Sequence, residues 1–118
     1  MEKQYLVTGA AGFLGSNIVR TLRARGENVR ALILPGDPNR VHLPEDVQCF
    51  QGDTTDIKSL DAFFDVPRSC RSIVIHAAAI VSIQEHFDKR VYAVNVNGTR
   101  NVVKQALEHG ADKLVYVS

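Results

Sequence analysis

Glycines stand at positions 9, 12 and 15 of the stretch LVTGAAGFLGSN, where an apolar run gives way to a helical one. Glycine inside a strand or helix costs roughly 0.5–1 kcal/mol relative to alanine, so this spacing marks backbone that must turn sharply or be approached closely. QYLVT before the glycines is a short, nearly continuous apolar strand. Leu14, Ile18 and Leu22 recur every four residues after them and predict one face of a helix that stops near Gly26. Such a turn at the carboxyl end of a first strand brings backbone N–H groups to a helix N-terminus, where an anion is favoured. Gly9 would let the chain leave the strand tightly, and Gly12 would let a pyrophosphate approach the backbone. Gly15 would let the helix pack close to the sheet, with Phe13 and Leu14 supplying N–H groups and the wall of the cradle. The competing reading is a purely structural turn.

The remainder of the chain repeats the alternation. NVRALIL is a second strand, and PGDPNR, with two prolines and a glycine, is loop. VQCFQ is a third strand, followed by a short helix lined by Ile57, Leu60 and Phe64, with Asp56 expected as its cap. SIVIHAAA is a fourth strand. From about Glu85 to His109 the pattern is helical, with Val96, Val103 and Leu107 on one face and Gly110 as a stop. KLVYVS is a fifth strand. Buried-type strands alternating with helices predict an α/β fold, a doubly wound parallel sheet covered on both faces. Right-handed crossovers favour the order 3-2-1-4-5.

Composition bounds the function. The 118 residues, 45% hydrophobic and 23% charged, suit one domain, residues 1–118. A net charge of +1 without a basic stripe argues against nucleic acid as a partner. The longest apolar runs fall far short of a membrane span, and no signal peptide is read at the start. Cys49 and Cys70 lack metal-site spacing and are expected to be free thiols in a cytoplasmic protein. The glycines open a βαβ unit, the context a dinucleotide fingerprint requires, whereas Gly-Lys-Ser/Thr of a phosphate loop is missing.

TGAAGFLG resembles the TGxxGFxG signature of the extended short-chain dehydrogenase/reductase superfamily, the NAD-dependent epimerases, dehydratases and related reductases. GDTTD, IHAAA, NVNGTRNVV and KLVYVS are similar to four further family stretches, in the family's order and over the whole chain. The resemblance implies that the chain binds a nicotinamide dinucleotide, NAD or NADP. Gly9, Gly12, Phe13, Leu14 and Gly15 would meet the pyrophosphate, and Asp53 with the Thr54 backbone the adenine. Ala77, Ala78 and Ala79 would line the ribose and nicotinamide side, with Asn95 near the nicotinamide ribose. Each has a plainer counterpart: Asp53 as a turn acceptor, the alanines as packing, Asn95 as a brace. His76 is read as structural, and Asn97, Gly98 and Thr99 as helix packing. No metal site is expected.

The end of strand two normally selects between NAD and NADP through an acid or an arginine. Ile33 and Leu34 occupy those positions here, and Asp37 and Arg40 lie beyond them, so the choice stays open. Family chemistry is hydride transfer assisted by a Ser/Thr and a Tyr-x-x-x-Lys pair. Tyr5, Tyr92 and Tyr116 have no lysine four residues on, and Ser118 matches only the first serine of the family's VYxSS stretch. The expectation is a catalytically silent cofactor-binding part of a larger enzyme, truncated after strand five. Its fifth strand would form an apolar edge prone to self-association through Leu114 to Val117. The alternative from another class is a non-catalytic sensor that binds NAD(P) to regulate partners.

Overall fold

The structure is a computed structural model, and it describes residues 2–78 and 89–117. Five strands form one parallel sheet: β1 (Lys3–Thr8), β2 (Asn28–Ile33), β3 (Gln48–Gln51), β4 (Arg71–His76) and β5 (Lys113–Tyr116). Their order is β3-β2-β1-β4-β5, as the sequence predicts. The register sets Tyr5 beside Val29 on one flank and beside Ile73 on the other, and it ends with Thr8 beside His76. Helix α1 (Phe13–Ala24) links β1 to β2, and α2 (Asp61–Phe64) follows a single 3₁₀ turn at Ile57–Leu60. On the far side of β4, α3 (Lys89–Tyr92) runs through a π-helical stretch, Ala93–Gly98, into α4 (Thr99–Glu108).

Alternation along the strands splits the core in two. Val7, Ala31 and Ile33 pack with Val19 of α1 on one face. Leu6, Leu32 and Val74 pack with Leu60, Phe63 and Phe64, and with Val102 and Ala106 of α4, on the other. A sheet whose strands are apolar on both sides can be stable only with both faces covered, which this arrangement provides. Arg30 on β2 ties the second layer to the sheet. Its Nη1 faces the carbonyl oxygens of Ala62, Phe63 and Asp65 at 3.0–3.2 Å, and its guanidinium lies 4.9 Å from the Phe50 ring centroid.

Several local expectations shift. The fully buried residues of α1 are Gly15, Ser16 and Val19; of the expected face, Ile18 and Leu22 pack partly buried against the first core, while Leu14 is half exposed. The small residues face inward because the helix sits too close to the turn for larger ones. Likewise α4 buries Val102, Gln105 and Ala106, and Leu107 is exposed. Asp56 makes no side-chain cap bond. The Ser59 hydroxyl ties that turn instead, reaching the Asp56 carbonyl at 2.6 Å and accepting from the Asp53 N–H at 2.9 Å. Within PGDPNR and just beyond, Pro38–His42 forms a 3₁₀ turn capped by Asp37, whose carboxylate accepts from the Asn39 N–H.

Candidate functional site

A cleft of about 360 Å³ opens at the carboxyl ends of the strands. In parallel sheets of this order the succession of strands reverses between β1 and β4, and the crevice at such a switch point is where ligands bind. Gly9 and Gly12 line it from the first turn, Asp53 and Thr54 from the loop after β3, and Ala77 and Ala78 from the end of β4. These six residues, singled out by sequence, are brought to one cavity. Phe13, Leu14 and Gly15 form the first turn of α1 beside it. Asn95 lies in the π-helical stretch next to Ala93 and Val94, which do line the cleft. Ala79 lies outside the described residues.

The three glycines meet different demands. Gly9 has φ +62°, and a Cβ there would stand 2.7 Å from the Ala78 Cα, so turn and neighbour both exclude a side chain. A Cβ on Gly15 would overlap the Gly9 carbonyl oxygen. The close approach is thus to the turn's own backbone, where the sequence reading placed it against the sheet. A Cβ on Gly12 would meet only that same carbonyl oxygen, at 3.3 Å. Gly12 is also the N-cap of α1, no side chain caps the turn, and no acidic residue lies in it. The first N–H donors of a helix have no intrahelical partner, and no side chain takes their place in this turn.

A buried hydrogen-bond chain fixes the Ala77–Ala78 wall. The Thr8 hydroxyl accepts from the N–H groups of Ala77 and Ala78, at 3.0 and 3.2 Å. Its own proton is then directed to His76 Nδ1, 2.7 Å away. His76 Nε2 consequently carries the ring proton and donates it to Thr99 Oγ1 at 2.9 Å, and that hydroxyl donates to the Asn95 carbonyl at 2.7 Å. Burial pushes the His76 pKa down, which favours the neutral imidazole this chain demands. The expectation that His76 is structural matches this geometry. Thr8 escaped the sequence reading because a strand-end threonine carries no motif of its own.

The loop after β3 is held from α4. Asn101 Nδ2 donates to the Thr54 carbonyl at 2.8 Å, and the missing Cβ of Gly98 makes room for the Thr54 side chain. Asp53 Oδ1 accepts from the Thr55 N–H and hydroxyl at 2.9 and 2.7 Å, so this carboxylate shapes its own turn while lining the cleft. Asp37, Asp53 and Arg90 are the charged residues among the described lining. Arg90 is a member that periodicity could not reveal, because it depends on how α3 crosses the strand ends. No group of three or more metal-ligating side chains occurs among the described residues. No helix among them is long and apolar enough to cross a membrane.

Comparison with known proteins gives this geometry a family. The chain is 40% identical over 114 residues to sterol demethylase protein B of Methylococcus capsulatus, covering 96% of this chain and 33% of that protein. It is 35% identical over 124 residues to a 3 beta-hydroxysteroid dehydrogenase/Delta 5→4-isomerase of Mycobacterium tuberculosis, covering 96% and 30%. Among solved structures, it matches a Thermus thermophilus UDP-glucose 4-epimerase complex with NAD at TM-score 0.82 and 34% identity, over 94% of this chain and 36% of that one. The chain thus spans about a third of the length of these relatives. The NAD dependent epimerase/dehydratase family model matches residues 5–118, and the chain belongs to that family.

Proposed function

We propose that residues 1–118 form one nicotinamide-dinucleotide-binding unit of an extended short-chain oxidoreductase, epimerase or dehydratase. The observation that carries this reading is the uncapped first turn of α1, with Gly12 opening onto the cleft at the β1/β4 switch point. The N–H groups of Phe13, Leu14 and Gly15 would face the pyrophosphate, and a Gly12 side chain would fill that approach. Asp53 and Thr54 would border the adenosine end, Ala77, Ala78 and Ala79 the nicotinamide ribose side, and Asn95 would hold its helix beside the latter. NAD is present in the epimerase structure above and in an Agrobacterium tumefaciens short-chain dehydrogenase/reductase superfamily protein of 30% identity, TM-score 0.79, which supports the reading.

When bound, the nicotinamide would supply the hydride acceptor or donor. The chain's own residues bind and orient it: the α1 turn neutralises phosphate charge, and the Thr8–His76 chain keeps the Ala77–Ala78 wall in place. For the larger enzyme we propose hydride transfer at a hydroxyl or keto carbon. Cys49 and Cys70 are unbridged, which supports a cytoplasmic location. The test is calorimetric titration of the purified protein with NADH and with NADPH. Saturable binding that Gly12→Val abolishes without loss of fold is the expected result, and its absence in the folded protein would refute the reading.

A further inference from the structure

We propose that Asp37 reads the 2′ position of the adenosine ribose and selects a cofactor with a free 2′-hydroxyl over one carrying a 2′-phosphate. This rests on the dinucleotide reading above and adds to it a selectivity and the residue that confers it. Ile33 and Leu34, where an acid or an arginine commonly makes this choice, are apolar. The discrimination has to come from a group that the chain returns to the cleft.

Backbone geometry after β2 does this for one residue. Leu34, Pro35, Gly36 and Asp37 form a tight turn closed by the Asp37 N–H on the Leu34 carbonyl at 3.2 Å. Proline at its second position and Gly36 at φ +74° at its third are the residues a type II turn requires. The turn reverses the chain, and Asp37 lines the cleft together with Leu32, Ile33 and Leu34. Asp37 Oδ1 is anchored by the Asn39 N–H at 2.9 Å, at the start of the 3₁₀ turn. This bond fixes the carboxylate with its other oxygen left to accept from a ribose hydroxyl.

The charges around it point the same way. Asp53 lines the same cleft from the end of β3, so both charged residues contributed by the β2 and β3 ends are acidic. Arg40 lies on the exposed 3₁₀ turn and is absent from the lining. Arg90 does line the cleft, but from α3, beyond β4. A 2′-phosphate would bring a charge of about −1.5 to −2 against two carboxylates. A 2′-hydroxyl would instead donate to one of them.

The experiment is titration of the protein and of Asp37→Asn with NADH and NADPH at low ionic strength. Asparagine is as good an N-cap as aspartate, so the variant removes charge and keeps the anchoring bond. Circular dichroism checks its fold, and Asp37→Ser is a second capping variant. The wild-type protein is expected to bind NADH at least about tenfold more tightly than NADPH, a ratio falling below about threefold in Asp37→Asn and shrinking with added salt. A preference for NADPH, or a ratio that Asp37→Asn and Asp37→Ser leave unchanged, overturns the assignment while the dinucleotide reading stands. Binding of neither cofactor overturns both.

Discussion

The hydroxyl of Thr8, the last residue of β1, lies 2.7 Å from Nδ1 of His76, the last residue of β4, in a position almost closed to solvent. Because the two residues are register partners, the bond ties the central strands together at the rim of the cleft. The same oxygen accepts the first two N–H groups beyond β4, so one threonine determines both the tautomer of the histidine and the course of the Ala77–Ala78 backbone.

Thr8→Val keeps the shape of the side chain and removes all three of these bonds. Two N–H groups and a ring nitrogen lose their partner, and each buried unsatisfied group costs about 1–3 kcal/mol. Since the three share one site and are not additive, the expected loss in urea unfolding is about 2–4 kcal/mol. Thr8→Ser, which retains the hydroxyl, is expected to lose less than half as much. Equal losses in the two variants would show that the methyl group, not the hydrogen bonds, matters here.

Stability should depend on pH through His76. Burial lowers its pKa in the folded state below the ordinary value of 6.5. Above that value the ring is neutral in both states, and the contribution is fully present. Below it the unfolded chain takes up a proton that the folded chain refuses, so the unfolded state gains as the pH falls. The slope is at most about 1.4 kcal/mol per pH unit for one such group, and it levels off once the folded-state pKa is passed. Unfolding free energies measured between pH 7.5 and 5.5 are expected to decline, and to decline less in His76→Asn. A flat profile would mean that the imidazole is protonated as readily inside the protein as outside.

The parts of this architecture that a sequence shows are those written in local periodicity and in glycine placement. Strand alternation with helices gave the five parallel strands and their order, and the glycine triad located the turn. The side chains that face inward were harder to read. Leu14 and Leu107 fit a helical repeat yet stay exposed, because the buried faces are those of Gly15, Ser16 and Val19 on α1 and of Val102, Gln105 and Ala106 on α4, set by how each helix meets the rest of the fold. The hydrogen bonds that brace the cleft join residues far apart in the chain, such as Thr8 with His76 and Thr54 with Asn101. Nothing local announces such pairs.

Arg30 offers a test of packing between the layers. Its guanidinium supplies donors to the last carbonyl groups around α2, a helix of a single turn with no side-chain cap at its start. Hydrogen bonds from a charged donor contribute about 1.5–3 kcal/mol, and three acceptors sharing one nitrogen count as fewer than three bonds. Arg30→Met keeps most of the apolar stem and is expected to cost about 2 kcal/mol in chemical denaturation. An unchanged midpoint would show that α2 is held by Phe63 and Phe64 alone.

Gly12 and Gly15 should respond in opposite ways to the same substitution, although both lie in the first turn of one helix. Alanine stabilises a helix interior by about 1 kcal/mol relative to glycine, so propensity alone would favour Gly15→Ala. The new methyl group would overlap the Gly9 carbonyl oxygen, and that backbone is itself wedged against Ala77 and Ala78. Overpacking of this kind costs about 1–3 kcal/mol, so Gly15→Ala is expected to be destabilising despite its propensity gain. At Gly12 the same methyl group meets a single oxygen at 3.3 Å and otherwise projects into open space. Gly12→Ala is therefore expected to stay within about 1 kcal/mol of the parent in stability, while weakening dinucleotide binding by tenfold or more, about 1.4 kcal/mol. Thermal unfolding and calorimetric titration of the two variants separate the roles. If Gly12→Ala binds as the parent does, the phosphate approach does not run over Gly12. If Gly15→Ala is as stable as the parent, the contact between α1 and the turn is looser than the structure has it.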